Sequence, residues 1–227
     1  MTRGRFKAPP YDTGAAALHL RDSHPRVATL VERVGPCTLT THTLPPYESL
    51  VQSIVYQQLN GRAAETILGR VLAIYAPKPF PAPADILATP DDRLRAAGLS
   101  RAKTAAVKSL AQHALDGVVP TRAQAVRLSN EELIERLTRV RGIGRWTVEM
   151  MLIFWLGRPD ILPVDDLGIR KGVQIVLGHD EMLKPKELFA YGELWAPFRT
   201  AASLYLWRIA DFDKDQVGAA KVKRSQD

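Results

Sequence analysis

The chain has 227 residues and is 46% hydrophobic, so it carries enough apolar side chains to bury a core and to fold alone as a monomer. Its formal net charge of +7 favours a polyanionic partner, because Lys and Arg that neutralise phosphates release condensed counterions; a basic protein without such a partner is the alternative. The single cysteine, Cys37, excludes a disulfide framework, a four-cysteine zinc site and a cysteine-ligated iron–sulfur cluster, and predicts a reducing, cytoplasmic environment.

No part of the sequence predicts a membrane partner. The N-terminal stretch lacks the apolar segment of a secretory signal, and no apolar run approaches the ~20 residues that span a bilayer. The apolar run Met151–Leu156 is therefore predicted to be a buried helical segment.

The first third of the chain predicts an arm followed by short helices. Residues 1–22 contain Pro, Gly and Arg with weak periodicity, which predicts a flexible basic arm. A short helix with Pro25 in its first turn should run from Ser23 to Gly35, and Thr38–Thr43 is either a strand or an extended connector.

A helical hairpin is predicted next. Apolar residues recur at helical spacing in Tyr47–Leu59 and again in Arg62–Tyr75, and the polar stretch Gln57–Gly61 breaks the pattern. The segment Pro77–Asp85 is predicted to be a Pro-rich spacer inside one domain.

Capping signals place three further helices. A short helix should begin at Thr89–Pro90 and end at Gly98, and Ser100 should cap a longer helix, with Lys103 off its apolar face. Ser129–Glu132 is a capping box that starts the helix leading to a glycine-containing turn.

The stretch VRGIGR, residues 140–145, joins two patterned helices. Its glycines permit positive φ and close backbone approach, and the free amides at the next helix N-terminus can bind a phosphate oxygen. Arg141 and Arg145 should add positive charge, and Ile143 should anchor the turn to the core. Such a turn would position a duplex without reading its sequence, although a GxG pattern can also simply separate two helices.

Asp165 and Asp166 precede an apolar-periodic helix. One acid can cap this helix while the other faces a cleft, and a carboxylate at a helix N-terminus is held ionised by the dipole and the amides. An ionised carboxylate beside a sugar stabilises an oxocarbenium-like transition state and can activate water, as N-glycosidic cleavage requires. Capping alone is the alternative.

The C-terminal third adds a helix from about Pro197, and the polar, basic residues 214–227 are predicted to be a frayed tail. With hardly any strand pattern, the expected fold class is all-α with about ten helices. Residues 23–213 would form one domain.

Several separated motifs together resemble the helix-hairpin-helix DNA glycosylase superfamily, and within it the 3-methyladenine DNA glycosylase II (AlkA-like) subgroup. These motifs are SIVYQQLNGRAA, GLSRAKTAAVKSLA, VRGIGRWT, PVDDLGIRKG and WAPFRTAASLYLWR. The resemblance covers roughly Ser23 to Phe212. It implies a bilobal all-α fold, a hairpin at about residues 131–156, an active site in the cleft between two helical subdomains, and a short N-terminal extended segment at most.

The resemblance also implies roles for individual residues. The family's catalytic Asp lies twenty residues after the Trp that follows the hairpin glycines, which from Trp146 is Asp166; Asp165 is the second candidate and is better suited to capping. In lyase-competent relatives a Lys stands where this chain has Trp146, so hydrolysis without a Schiff base, and hence without AP lyase activity, is implied.

A base inside a duplex must be flipped to reach such an Asp. By resemblance the gap is filled from residues 57–60, with Asn60 preferred over Gln58 and Leu59; the alternative is that Leu59 is core and the amides cap helices. The base pocket is expected to include Trp146, Met150, Trp207 and Tyr56, where aromatic faces would bind a cationic alkylated base.

The expected DNA contacts come from the loop, the turn and the start of one helix: Gln58, Leu59, Asn60, Ser100, Lys103, Arg141, Gly142, Ile143, Gly144, Arg145 and Thr147. Backbone carbonyls of Thr138, Val140 and Gly142 are expected, by resemblance, to bind a monovalent cation such as Na⁺ or K⁺, with no other cofactor and no iron–sulfur cluster. Met150 stands where the larger relatives of the family have Tyr, and a more open pocket with broader tolerance for alkylated bases is expected.

The function implied is monofunctional excision of alkylated bases, such as 3-methyladenine and 7-methylguanine, from double-stranded DNA. The location would be the cytoplasm, at the nucleoid if the source is bacterial. Two alternatives remain: a non-catalytic helix-hairpin-helix DNA-binding protein, and a relative that excises oxidised or mismatched bases.

Overall fold

The computed structural model describes residues 6–36 and 38–224, with side chains placed through Asp211. Across these residues the chain forms thirteen α-helices, more than the ten predicted, and only two strands, β1 (Phe6–Lys7) and β2 (Thr41–His42), which pair in a two-stranded sheet. Cys37, residues 1–5 and residues 225–227, on which some of the predictions fall, lie outside this range. The all-α prediction is confirmed.

The helices follow one another in this order: α1 (Thr13–Ser23), α2 (Pro25–Val34), α3 (Pro46–Tyr56), α4 (Gly61–Ala73), α5 (Pro83–Ala88), α6 (Asp91–Ala96), α7 (Arg101–Leu115), α8 (Arg122–Arg127), α9 (Asn130–Leu137), α10 (Arg145–Met151), α11 (Leu167–Leu177), α12 (Pro185–Tyr191) and α13 (Arg199–Arg224). A π-helical turn, Leu152–Leu156, follows α10, and a 3₁₀ turn, Gly192–Trp195, follows α12.

The chain divides into two compact units, in agreement with the two helical subdomains that the resemblance implies. Among the described residues, unit 1 contains Phe6 and His42–Met151. Unit 2 contains Lys7–Thr41 and the chain from Leu152 onward. Unit 2 is therefore built from two separate stretches of sequence.

Unit 1 is arranged around α7, which packs against α3 and α5. Val107, Leu110 and Ala111 are fully buried on one side of α7. As predicted, Ser100 caps this helix, with its Oγ accepting from the Lys103 backbone N–H at 3.2 Å.

The Pro-rich spacer predicted at Pro77–Asp85 is shorter than expected, because α5 begins at Pro83. Proline fits the first turn of a helix, where its missing N–H is not needed. The Asp85 side chain then accepts from the Ala82 backbone N–H at 2.9 Å, which stabilises the start of α5.

The flexible arm predicted for residues 1–22 is wrong from Asp12 onward. Asp12 Oδ1 accepts from the backbone N–H groups of Gly14 at 2.8 Å and Ala15 at 3.1 Å, and so caps α1. Ala16 and Leu20 are fully buried in the core of unit 2. The sequence of α1 shows little helical periodicity because only these two positions of the helix are buried.

The centre of unit 2 is the contact between α11 and α13. A Cβ added at Gly172 would collide with the backbone of Leu206, so the two helices approach this closely only with glycine there. The backbone of α13 continues to Arg224, so the frayed tail predicted for 214–227 is wrong through that residue.

The apolar run at the end of α10 is buried, as predicted. Leu152, Ile153 and Trp155 of the π-helical turn have no exposed surface. Within the described part of the chain, no helix has the length and apolar character needed to cross a membrane.

Candidate functional site

The glycine turn, Val140–Arg145, joins α9 to α10 through a backbone that only glycine adopts easily. Gly142 has a φ of +82°, and a Cβ there would lie only 2.8 Å from the Cβ of Ala106. Ile143 is 3% exposed and anchors the turn in the core, as predicted. The space around Gly144 is open. The turn is therefore fixed on its inner side and accessible at Gly144.

The two arginines beside the turn differ in how their charge is used. Arg145 contacts both carboxylate oxygens of Glu131, at 3.1 and 2.6 Å, and its Nε lies 3.1 Å from Glu149 Oε1. These contacts, the hydrogen bond with Glu131 first, raise the pKa of Arg145 and offset its charge. Arg141 is exposed and, among the described residues, forms no ion pair, while its backbone N–H donates to Ser109 Oγ at 3.1 Å. The predicted positive charge at the turn is therefore supplied by Arg141.

The loop 57–60, between α3 and α4, is fixed at both ends. At one end the side chain of Gln57 donates from Nε2 to the carbonyl oxygen of Gly142 at 3.0 Å. At the other, Asn60 Oδ1 accepts from the Ala63 backbone N–H at 2.9 Å and caps α4. Asn60, the preferred gap-filling residue, is thus used as a helix cap, as the alternative reading had it.

The two residues between these ends project outward. Gln58 is exposed and has a φ of +57°, a left-handed conformation that is uncommon for a residue with a side chain. Leu59 is 39% exposed, so the alternative that it is a core residue is wrong. Gln58 and Leu59 therefore replace Asn60 as the candidates for entering a duplex.

A cavity of about 650 Å³ opens beside this loop, entirely within unit 1. We call it the base pocket, after the role that the family resemblance implies for it; it is lined by Ser53, Tyr56, Gln57, Gln58, Leu59, Trp146, Thr147 and Met150. Trp146 and Tyr56 are 44% and 39% exposed, so neither ring is a core residue. Burial of its hydroxyl, followed by the nearby Glu65 carboxylate, raises the pKa of Tyr56. Three of the four predicted pocket residues, Tyr56, Trp146 and Met150, are brought together here.

Two residues predicted to contact DNA are turned inward. Lys103 donates from Nζ to the carbonyl oxygens of Val55 and Gln57, both at 2.7 Å, and burial lowers the pKa of this lysine. Thr147 is 5% exposed, with its Oγ1 3.4 Å from Gln57 Nε2. Ser100 is exposed at the start of α7, where it acts as the cap. The structure therefore gives Lys103 and Thr147 internal partners.

The carbonyls predicted to bind a monovalent cation are partly engaged. The Val140 oxygen accepts from the Ile143 backbone N–H at 3.1 Å, and the Gly142 oxygen accepts from Gln57 at 3.0 Å. A carbonyl oxygen has two lone pairs, and each of these two hydrogen bonds uses one of them. Thr138 uses its hydroxyl to donate to the Ile134 oxygen at 2.8 Å.

In unit 2, Asp166 is the N-cap of α11. Its backbone is extended, with φ −71° and ψ 122°, and its Oδ1 accepts from the Ile169 backbone N–H at 2.9 Å. The same oxygen accepts from the indole N–H of Trp207, also at 2.9 Å. The carboxylate is half-buried and held in one orientation by both donors.

Asp165 is exposed in the turn before α11, and the prediction that it is the better capping residue is wrong. Capping requires the residue directly before the first helical position, and α11 begins at Leu167. Asp166 therefore caps the helix and remains the candidate catalytic residue as well.

Trp207, predicted for the base pocket, has a different set of contacts in unit 2. Its ring stacks on that of Phe154, with the centroids 6.0 Å apart and the planes inclined at 24°. A Cβ at Gly168 would lie 2.9 Å from Trp207 Cδ1 and 3.1 Å from Asp166 Oδ1. Phe154 and Gly168 therefore fix the position from which Trp207 donates to Asp166.

Sequence reasoning missed three residues that shape these sites: Gln57, Phe154 and Gly168. The two adjacent glutamines at 57–58 indicated a loop, but the sequence does not show which of their side chains contacts the glycine turn. Phe154 is presented by a π-helical turn, which a 3.6-residue period does not predict. Gly168 lies two residues after Asp166, at the start of a helix, and a glycine there was a signal that another side chain packs closely against the backbone.

Residues 51–197 match the family model described as HhH-GPD superfamily base excision DNA repair protein, and the chain belongs to that superfamily. The hairpin, the base pocket and Asp166 all lie inside the matched residues.

The chain is also similar to individual members. It is 44% identical over 172 residues to DNA-3-methyladenine glycosylase 1 of Schizosaccharomyces pombe, covering 74% of this chain and 75% of the relative. The solved structure of the Schizosaccharomyces pombe 3-methyladenine DNA glycosylase in complex with abasic DNA has a TM-score of 0.78 and 40% identity, covering 87% of this chain and 97% of that one. A DNA-3-methyladenine glycosidase from Bacillus halodurans has a TM-score of 0.77 and 32% identity, with 91% and 92% covered.

Proposed function

We propose that this protein is a DNA glycosylase of base excision repair that hydrolytically removes alkylated bases from duplex DNA and leaves an abasic site. The observation that carries the proposal is the Asp166 carboxylate, held at Oδ1 by the Ile169 amide and the Trp207 indole. The proposal is supported by 44% identity to a DNA-3-methyladenine glycosylase and by the similarity to a relative solved with abasic DNA.

Unit 1 would hold the DNA. Amides at the open side of the glycine turn, near Gly144, would donate to a backbone phosphate, and Arg141 would add charge. The damaged nucleotide would leave the stack, and Leu59 with Gln58 would occupy the gap. A base in the extruded position would be received by the aromatic lining of the base pocket.

Asp166 would supply the chemistry. As the N-glycosidic bond breaks, positive charge develops on the deoxyribose, and a fixed carboxylate stabilises this oxocarbenium-like state. The same carboxylate can orient a water molecule, or remove its proton, as the water attacks the sugar carbon. Trp207 would be a positioning residue that holds the carboxylate ready for both roles.

The pocket lining favours a cationic base. Trp146 and Tyr56 present aromatic surface, and a cation over such a face gains about 0.5 to 2 kcal/mol. Alkylation at purine N3 or N7 gives the base a positive charge, so 3-methyladenine and 7-methylguanine are the expected substrates. Met150 in place of a tyrosine leaves an adaptable wall, and we expect tolerance of several alkylated bases.

Strand cleavage is not expected. The position where lyase-competent relatives carry a lysine is Trp146, whose indole cannot form a Schiff base with the sugar. We propose further that the protein acts as a cytoplasmic monomer. Any cation at the Val140 and Gly142 carbonyls would be Na⁺ or K⁺ with a structural role, and no other cofactor would be needed.

The test is an excision assay on duplexes that carry single 3-methyladenine, 7-methylguanine, 8-oxoguanine or mismatched bases. Released base is quantified directly, and abasic sites are revealed as strand breaks after heat or alkali. Breaks that require alkali, on the alkylated duplexes, are the expected result. Activity only on the oxidised or mismatched duplexes would mean that the substrates are those bases and not alkylated ones. Strand breaks without alkali would contradict hydrolysis without lyase activity. Tight binding without base release would indicate a non-catalytic DNA-binding protein.

A further inference from the structure

One side of α7 contacts both elements of unit 1 that we propose to handle DNA. Lys103, Ala106 and Ser109 are spaced three residues apart, so they lie along the same side of this helix. Lys103 contacts the loop 57–60, whereas Ala106 and Ser109 contact the glycine turn. One rigid element therefore supports two separate segments of chain.

Lys103 completes the end of α3. This helix ends at Tyr56, and its last carbonyl groups have no partner within the helix. The Lys103 ammonium donates to two oxygens there, Val55 and Gln57, both at 2.7 Å. A cation at a helix C-terminus also interacts favourably with the helix dipole, so this contact fixes where α3 stops and where the loop begins.

Gln57 extends this contact to the glycine turn. Its carbonyl oxygen accepts from Lys103, and its side-chain amide donates to the Gly142 oxygen at 3.0 Å. Its backbone N–H donates to the Ser53 oxygen at 3.1 Å. Gln57 is therefore held on three sides, and the next residue, Gln58, takes up the left-handed conformation that turns the loop outward.

The glycine turn reaches α7 by a second route. The Arg141 backbone N–H donates to Ser109 Oγ at 3.1 Å. Gly142 lies so close to Ala106 that a Cβ would be only 2.8 Å from the alanine Cβ. The loop and the turn are thus joined to each other directly, and each is joined separately to α7.

We infer that Lys103 is a positioning residue that fixes Gln58 and Leu59 relative to the glycine turn. With this relative position fixed, the turn can contact a phosphate while Gln58 and Leu59 enter the gap that the extruded nucleotide leaves. Lys103 does so through the carbonyls of Val55 and Gln57 and does not itself bind DNA. The inference rests on the proposed function, because it assigns a role within base extrusion. A misplacement of about 1 Å caused by a mutation far from the reacting atoms can reduce a rate about 100-fold.

The variant Lys103→Met tests this role, because it keeps much of the side-chain length and removes the ammonium. Single-turnover base release at saturating protein should fall by about 10- to 100-fold. The fluorescence of 2-aminopurine placed beside the lesion, which rises on unstacking, should rise less than with the wild type. The dependence of duplex affinity on salt should keep its slope, since no phosphate contact is lost.

Lys103→Arg should recover part of the rate, because it restores the charge and the donors. Arg101→Met is the matched control: it removes the same charge from the first turn of α7 and touches neither the loop nor the turn, so its rate at saturation should equal that of the wild type. Gln57→Met removes the donor to Gly142 without a change of charge. If Lys103 and Gln57 act together, the double variant should be little worse than the worse single variant.

Two outcomes would overturn the inference. In the first, Lys103→Met lowers the slope of log affinity against log salt by about 0.9 while the saturated rate is unchanged, which identifies a phosphate contact. In the second, the rate and the fluorescence are those of the wild type, or the losses in the double variant are additive. If Lys103→Met does not fold, Gln57→Met must show the same loss of fluorescence, or the inference fails. Wild-type protein that releases no base would instead contradict the proposed function.

Discussion

The glycine turn of unit 1 and the carboxylate site of unit 2 depend on different parts of the polypeptide. The turn depends on backbone conformation, since Gly142 has a positive φ and the space around Gly144 is open. Of its two flanking arginines, Arg145 forms ion pairs with Glu131 and Glu149. The carboxylate site depends on one side chain, Asp166, held by hydrogen bonds. Mutations should therefore be able to change duplex affinity and the rate of base release separately.

The largest effect is expected from Gly142→Ala. An alanine here must adopt φ near +82° and meet Ala106 Cβ at 2.8 Å, and the two penalties together should lower the free energy of unfolding by about 2 to 4 kcal/mol. Duplex affinity should fall with it, because the turn must move away from α7. Thermal unfolding and duplex titration measure the two effects.

Gly144→Ala is the matched control for this substitution. A methyl group there has open space, so the change in unfolding free energy should stay within about 0.5 kcal/mol. A loss of duplex affinity in Gly144→Ala without a loss of stability would indicate that a phosphate approaches this atom. Equal destabilisation by both substitutions would contradict the assignment of turn geometry to Gly142.

The next largest effect is expected at the carboxylate site of unit 2. Trp207→Phe keeps the ring that stacks on Phe154 and removes the N–H that donates to Asp166. A hydrogen bond to a charged group contributes about 1.5 to 3 kcal/mol, so base release should slow by about 10-fold or more, with duplex affinity retained. A weaker affinity at an unchanged single-turnover rate would show that the tryptophan serves binding instead.

The smallest effect separates the two arginines of the turn. Arg141→Ala should lower the salt slope of duplex binding by about 0.9, because one phosphate contact is lost. Arg145→Ala should leave the slope nearly unchanged, since Glu131 and Glu149 already offset its charge. Equal slopes for the two variants would mean that the ion pairs of Arg145 open when DNA binds.

Much of this comparison could be predicted from sequence, because capping and glycine signals are local. Ser100, the turn at Gly142 and the helix after Asp166 are set by residues within a few positions of each other. The family resemblance, rather than a local pattern, placed Tyr56, Trp146 and Met150 in one pocket, and the structure brings these three together.

The sequence does not indicate which partner a side chain takes when several are possible. Lys103 and Arg145 were predicted to contact DNA, and in the structure their partners are carbonyls and carboxylates that lie 4 to 48 residues away in sequence. Asn60 and Asp166 cap helices, and a one-residue difference in where a helix starts decides which side chain caps. Such choices depend on tertiary packing, which a sequence pattern does not contain.

The most direct test of the central claim is single-turnover base release by Asp166→Asn, measured together with its duplex affinity. Asn keeps an oxygen that can accept from Ile169 and Trp207, so the fold should persist while the negative charge is lost. Base release should fall by about 100-fold or more, with affinity and melting temperature close to the wild type, whereas Asp165→Asn should remain active. Base release by Asp166→Asn near the wild-type rate, or an equal loss in Asp165→Asn, would contradict the claim that the Asp166 charge breaks the glycosidic bond.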